Sequence, residues 1–300
     1  MERFRIGTIN ILNDNQELNF DGSITKEKFE VIRNHSLNIH HHIMHQELFY
    51  IFLTNYVEFN KYFESVINSF LKRENFNLLD NNLPELKYVS RNANRFLFNY
   101  LSSARTYLDH SEKYLKNKYG NNSIQFNSFK NYTSSLYDSF FEYRFIYKLR
   151  NYAQHCGLPI NRLTFSVDNK DLFKQSIILN PLFLKSELKK NYKEWGKKIN
   201  EDFDFQPEEI SVRQIIGSYY KNIKDLNDEF IRIEKSSLNE SVEYLENFQK
   251  ENYSQFNVNK STQFCIFYDF ILKYPDTYEG SKFSTFVYPK EMIETIKKYT

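Results

Sequence analysis

The residues best equipped for chemistry lie near the middle of the chain. There Phe145-Ile146-Tyr147-Lys148-Leu149-Arg150-Asn151-Tyr152-Ala153-Gln154-His155-Cys156-Gly157-Leu158-Pro159 closes a long aromatic-rich stretch. Arg150, Asn151 and His155 supply the groups that transfer of a phosphodiester to a neighbouring hydroxyl requires. An imidazole can take the proton from a ribose 2′-hydroxyl or return one to the 5′-oxygen leaving group. A guanidinium can hold two oxygens of the crowded phosphorane while negative charge builds there. The Asn151 carboxamide can orient the imidazole or the phosphate. The nucleophile belongs to the substrate, so this chemistry calls for no metal and no other cofactor.

The spacing of an Arg, four to six residues and a His also occurs as Arg33 to His40 and as Arg105 to His110, so context has to choose. The rival motif Arg105–His110 falls in mid-helix, with Asp109 four residues after Arg105, where an ordinary helix ion pair suffices. Arg33, Asn34 and His40 fall before or at the start of the first long helix, in a geometry the spacing leaves open. At about 100° per residue, Arg144, Lys148, Asn151 and His155 lie within about 60° of one another. Phe141, Phe145, Leu149, Tyr152 and Cys156 form the adjoining apolar stripe. Arg144 and Lys148 are therefore candidates for substrate binding. Arg150 is about 140° round from His155, so its long side chain, or a second copy of the chain, must bring the guanidinium to the same phosphate. The competing structural account has Arg150 and His155 bonded to the free carbonyls at the helix C-terminus, where cations are favoured anyway.

Arg-Asn-x-x-x-His in this helical setting resembles the motif of the HEPN superfamily of helical, metal-independent ribonucleases. The resemblance implies an all-helical bundle whose Arg150, Asn151 and His155 cleave RNA, leaving a 2′,3′-cyclic phosphate and a 5′-hydroxyl. It also implies a homodimer in which two Arg/His motifs share one composite cleft. Its biological setting would be that of a toxin–antitoxin pair or an antiviral defence system, with an antitoxin or defence component as partner protein. The chain departs from the pattern in two respects. Gly157 stands where members often have a Tyr two residues after the His, and residues 158–300 match no part of the pattern. The alternative is a non-catalytic helical module that keeps a HEPN-like fold and binds RNA or a protein.

Other chemistries find less material. His35, His40, His41, His42 and His45 make the densest histidine cluster, and His41 and His45 are spaced to share a helical face as a metal pair. No zinc-protease Glu and no nearby Cys or carboxylate pair completes a coordination shell, so no metal site is expected. There is no Gly-rich phosphate loop, no Gly-x-Ser-x-Gly and no Cys-x-x-Cys. Cys156 and Cys265 are too few for a disulfide framework and read as small residues of a reducing compartment. The longest apolar run, Leu48 to Leu53, is far short of the roughly 20 residues of a membrane span. The first residues lack the apolar core of a signal peptide, so the expected location is cytoplasmic, with no membrane partner. The net charge of +2 advertises no global nucleic-acid field. The local maximum, with lysines at 185, 189, 190, 193, 197 and 198, reads first as a solvated helix face and second as a phosphate track.

The positioning elements follow from composition and periodicity. Only 7 Gly and 6 Pro punctuate 300 residues, which favours long helices, and 29 Phe with 23 Tyr point to an aromatic core. Helices are expected from about Ser36 to Leu71, from Pro84 to Tyr119, and from an N-cap at Asn127 or Ser128 to Cys156. Gly157 is expected as a left-handed cap, followed by Pro159. A β-hairpin is expected over residues 163–184, then helices over about 185–200, 207–235 and 237–254. Residues 3–12 read as an edge strand, Phe264 to Leu272 as helical or extended, and Glu291 to Tyr299 as a last helix. The fold class expected is mainly α: a HEPN-like helical region at 1–157 and a hairpin with C-terminal helices at 158–300, packed together, with Gly157–Pro159 as the seam.

Overall fold

The structure, a computed structural model, describes residues 2–12, 15–71, 84–168, 176–253, 262–273, 279–287 and 289–298. In chain order the elements are β1 (Glu2–Leu12), β2 (Asn15–Ser23), α1 (Lys26–Leu71), α2 (Pro84–Tyr119), α3 (Ile124–Ser139), α4 (Phe141–His155), β3 (Arg162–Asp168) and β4 (Ser176–Leu184). There follow α5 (Lys185–Asn191), α6 (Lys197–Phe205), β5 (Glu209–Ser211), α7 (Val212–Tyr253), β6 (Thr262–Lys273), β7 (Glu279–Val287) and α8 (Lys290–Lys297). The protein is mainly helical with small sheets, as its scarce Gly and Pro lead one to expect. It forms two units, His45–Ile233 and a second made of Met1–Met44 with Glu234–Thr300. This is not a division at 157. Two long helices, α1 and α7, each contribute to both units.

In the larger unit the core is aromatic. Phe52, Phe59 and Phe63 of α1, Tyr100 and Tyr107 of α2, Phe145 and Tyr152 of α4, and Phe230 of α7 are all buried. Buried hydroxyls find acceptors: Tyr100 donates to the Ile216 carbonyl at 2.8 Å and Tyr107 to Asn227 Oδ1 at 2.9 Å. Burial pushes both phenols above their ordinary range. The expected hairpin is present, but β4 also pairs with β5, giving a three-stranded antiparallel sheet in the order β3-β4-β5. Its connecting residues 169–175 lie outside the described residues, as do residues 72–83 between α1 and α2.

In the smaller unit β1 pairs with β6, so Glu2 stands opposite Phe270 and Asn10 opposite Thr262. The sheet order is β2-β1-β6-β7, all antiparallel. One face lays Phe264 and Ile266 against Phe29, Ile32 and Ile39 of α1, Leu238, Val242 and Leu245 of α7, and Ile293 and Ile296 of α8. The strand expected at 3–12 is thus internal, not at an edge. Residues 264–272 are extended, and the strands β2 and β7 have no counterpart in the sequence reading.

Several boundaries differ for identifiable reasons. α1 begins ten residues earlier than expected because Thr25 accepts from Lys28 N–H at 3.2 Å as an N-terminal cap. Arg33, Asn34 and His40 therefore lie inside it. Ser123, not Asn127 or Ser128, caps α3, accepting from Phe126 N–H at 3.1 Å. α7 is one 42-residue helix where two were expected. Conversely, the helix expected over 185–200 is two, separated by Tyr192 in an extended conformation and by Gly196, whose φ of 84° suits glycine.

Candidate active site at the end of α4

The helix that carries the candidate group exists as a separate element because the chain leaves helical conformation at Phe140, with φ −117° and ψ 122°. The break frees carbonyls at the end of α3, and Arg144 occupies them. Its Nη1 donates to the carbonyls of Tyr137 at 2.7 Å and Asp138 at 3.0 Å. Its Nε and Nη2 grip the two oxygens of Asp202 on α6, each at 2.9 Å. Arg144 is 5 % exposed. The expectation that it binds substrate is corrected: the guanidinium is consumed in joining α3, α4 and α6. Lys198 adds a second tie, donating to the Asp138 carboxylate at 2.8 Å and holding it below the usual carboxylate range.

Beyond Arg144 the inner face of α4 is packed. Phe145 lies against Phe183, Trp195 and Phe203, and Tyr152 against Tyr192 and Trp195. The opposite face runs, around the helix, from Arg150 through Gln154, Tyr147 and Asn151 to His155 and Lys148, an arc of about 160°. Tyr147, Gln154 and His155 are exposed, and Lys148, Arg150 and Asn151 are partly so. Among the described residues, Lys148, Arg150, Asn151, Gln154 and His155 make no side-chain hydrogen bond or ion pair. Arg150 has its Nε buried without an acceptor. Its stem is packed and its terminal nitrogens lie at the surface.

The capping account of Arg150 and His155 finds no counterpart, since neither side chain donates to a carbonyl. The Tyr152 carbonyl instead accepts from the N–H groups of Cys156 at 2.8 Å and Gly157 at 3.4 Å. Gly157 has φ 154°, a positive angle that a side chain disfavours, although not the compact left-handed cap expected. Asn94 of α2 then anchors the following turn, accepting from Ile160 N–H at 3.0 Å and donating to its carbonyl at 2.8 Å. Thus the end of α4 is braced on both sides while its polar face stays free.

The rival motif behaves as an ion pair. Arg105 Nε and Nη2 contact the Asp109 carboxylate at 2.9 and 2.8 Å, and His110 is exposed. What the spacing could not show is that Arg105 also lies over the Tyr147 ring of α4, at 5.1 Å. The third match is spread over two turns of α1, with Arg33 bonded to Glu30 at 3.2 Å.

The histidine cluster is dispersed by its helix. His40 and His41 are exposed, whereas His42 and His45 are buried, so His41 and His45 do not form a metal pair. Among the described residues, no group of three or more His, Cys, Asp or Glu is placed to hold a metal ion. His45 Nε2 stands 2.8 Å from Ser111 Oγ, and Ser111 gives its single proton to the Tyr107 carbonyl at 2.7 Å. His45 Nε2 must therefore carry a proton and donate. The same reasoning applies to His35 Nδ1 and Ser241 Oγ at 3.1 Å, because Ser241 donates to the Ser237 carbonyl at 3.0 Å. These polar pairs join residues over 60 or more positions apart, and no local signal announces them.

The remaining sequence candidates fall on the bland side. All six lysines of the basic stretch have partners. Lys185 bonds the carbonyls of Phe203 and Gln206, Lys193 that of Lys189, and the other four pair with Asp204, Glu187, Glu201 and Asp138. Both cysteines are free thiols, and burial pushes that of Cys265 up to about 12. No described helix is long and apolar enough to cross a membrane. Compared with known proteins, the chain matches no family model, no curated protein and no solved structure.

Proposed function

We propose that the end of α4 is the active site of a metal-independent endoribonuclease of HEPN type, acting as a toxin or antiviral defence effector. One observation supports the reading above others: Arg150, Asn151 and His155 share an exposed face with their hydrogen-bonding capacity unused, while Arg144 on the same helix is fully engaged. In this reading His155 takes the 2′-hydroxyl proton as the O2′–P bond forms. A proton returns to O5′ as the P–O5′ bond breaks. Arg150 holds the non-bridging oxygens while their charge rises. The nearby exposed side chains of Tyr147 and Leu158 also suit the runner-up, a module that binds RNA or a protein without cutting it.

The deciding experiment is incubation of labelled RNA with purified protein in EDTA. Wild type is expected to leave 2′,3′-cyclic phosphate ends, and His155→Ala and Arg150→Ala to be slower by at least about two orders of magnitude. His110→Ala is expected to cut like wild type. RNA that stays intact but bound would favour the runner-up, and cleavage undiminished in His155→Ala would end the assignment.

A further inference from the structure

Tyr147 differs from the core aromatics of its unit in being 42 % exposed while held from two sides. Arg105 of α2 lies over its ring at 5.1 Å, and Tyr137 of α3 meets it edge-on, at 6.4 Å and 90°. Arg105 is itself fixed by its two contacts to Asp109, at 2.8 and 2.9 Å. The ring is thus braced from neighbouring helices, with part of its surface left open. Position on the helix adds the second point. Tyr147 falls between Arg150 and His155 in angle, one turn N-terminal of Asn151 and two turns from His155, or about 6 and 12 Å along the axis. A phosphate held at His155 would leave a neighbouring nucleotide within reach of Tyr147, whichever copy supplies the Arg150.

We propose that Tyr147 is a stacking platform for an unpaired base next to the scissile phosphate, and that Arg105 acts through it as a positioning residue. The proposal rests on the ribonuclease reading of the same site and narrows the substrate to RNA with unpaired nucleotides at the cut. A base within a duplex is already stacked on both faces and offers no free face to the ring, whereas an unpaired base of any identity does. The side chains suit this division of labour. A guanidinium over one side of the phenol holds it in place through its quadrupole, and a rigid aromatic loses little freedom on binding. Phe205, 88 % exposed and without an aromatic contact among the described residues, serves as the control aromatic.

Two measurements test it. Cleavage kinetics would compare wild type, Tyr147→Ala, Tyr147→Trp, Arg105→Ala and Phe205→Ala on one RNA, alone and annealed to its complement. Binding would be followed with the 2′-O-methyl form of that strand, which cannot supply the nucleophile. Wild type is expected to prefer the unpaired strand. Tyr147→Ala should raise KM and weaken 2′-O-methyl binding by roughly 5- to 150-fold, the range for loss of one stacked base, with a smaller effect on kcat. Tyr147→Trp should restore binding, Arg105→Ala should lie between, and Phe205→Ala should match wild type. An unchanged KM in Tyr147→Ala, or a duplex bound as well as the single strand, overturns the platform. If His155→Ala is inactive in that same assay, the proposed chemistry survives that failure. If His155→Ala cuts normally, the chemistry is what fails.

Discussion

Arg144 and Arg150 sit six residues apart on one helix, one fully engaged and the other not. Burial decides which is which: Arg144 faces a helix break that leaves carbonyls unpaired, and Asp202 neutralises it there, whereas Arg150 has no internal acceptor. Removing one partner of a buried, bonded pair strands the other, so Arg144→Ala is expected to cost about 3–5 kcal/mol of stability. Arg150→Ala should cost no more than about 1–2 kcal/mol, because it strands no partner. Urea unfolding checks this, and comparable losses in the two variants would mean Arg150 is structural. A pH effect attaches to His35, half-buried, stacked on Tyr244 at 4.4 Å and bonded to Ser241. Burial holds its imidazole below the ordinary range, with the Glu240 carboxylate pulling the other way. The folded chain therefore binds this proton more weakly than the unfolded one. The group contributes no pH dependence well above about pH 6.5 and becomes destabilising as pH falls through that value. Melting temperatures of wild type and His35→Gln should accordingly draw together between about pH 7 and 5. A gap that stays constant across that window would show the shift to be absent.

At the scale of elements, what could be read in the sequence was what is local. The 3.6-residue spacing of Phe49, Phe52, Phe59 and Phe63 declares α1, and β3 with β4 show themselves as short apolar runs on either side of a polar stretch of sequence. The end of α4 was legible as well, since Gly157 and Pro159 forbid its continuation. Three things were not. The break at Phe140 involves neither Gly nor Pro, and its freed carbonyls are satisfied by a side chain that reads as an exposed cation. The four-stranded sheet depends on pairing residues about 250 positions apart, which no window detects. Arg105 meets Tyr147 only because α2 packs beside α4. That sheet has one position where a side chain cannot be added cheaply. Gly7 lies at the register shift between β1 and β2, and a Cβ there would stand 1.9 Å from the Asn19 carbonyl oxygen and 3.0 Å from the Phe267 ring. Backbone would have to move, so Gly7→Ala should destabilise by about 1–3 kcal/mol or more. Gly22→Ala meets only Ile6 side-chain atoms at 3.5 Å and beyond, and should be mild. Equal denaturation midpoints for the two variants would mean β1 and β2 are not paired in this register.

For the whole molecule, a ribonuclease site on α4 would carry one requirement that a single copy meets poorly. Arg150 and His155 occupy opposite edges of the exposed face, about 140° apart, so one phosphate is reached by both only across the width of the helix. A two-fold contact through these faces would supply a second Arg150 and a second His155 to the same cleft, because an isologous interface repeats every residue. We therefore expect a homodimer, and expect Arg and His from different copies to serve one phosphate. Light scattering should give twice the chain mass at micromolar concentration. A sharper test is complementation. Arg150→Ala and His155→Ala proteins, each inactive alone, should recover part of the cleavage when unfolded and refolded together. Each mixed dimer keeps one Arg150 from one copy and one His155 from the other. Recovery requires the two groups to act across the interface, since neither variant chain carries both. A mixture as inactive as its components would place Arg150 and His155 of a single copy at each phosphate. A monomer that still cuts RNA would remove the dimer from the mechanism altogether.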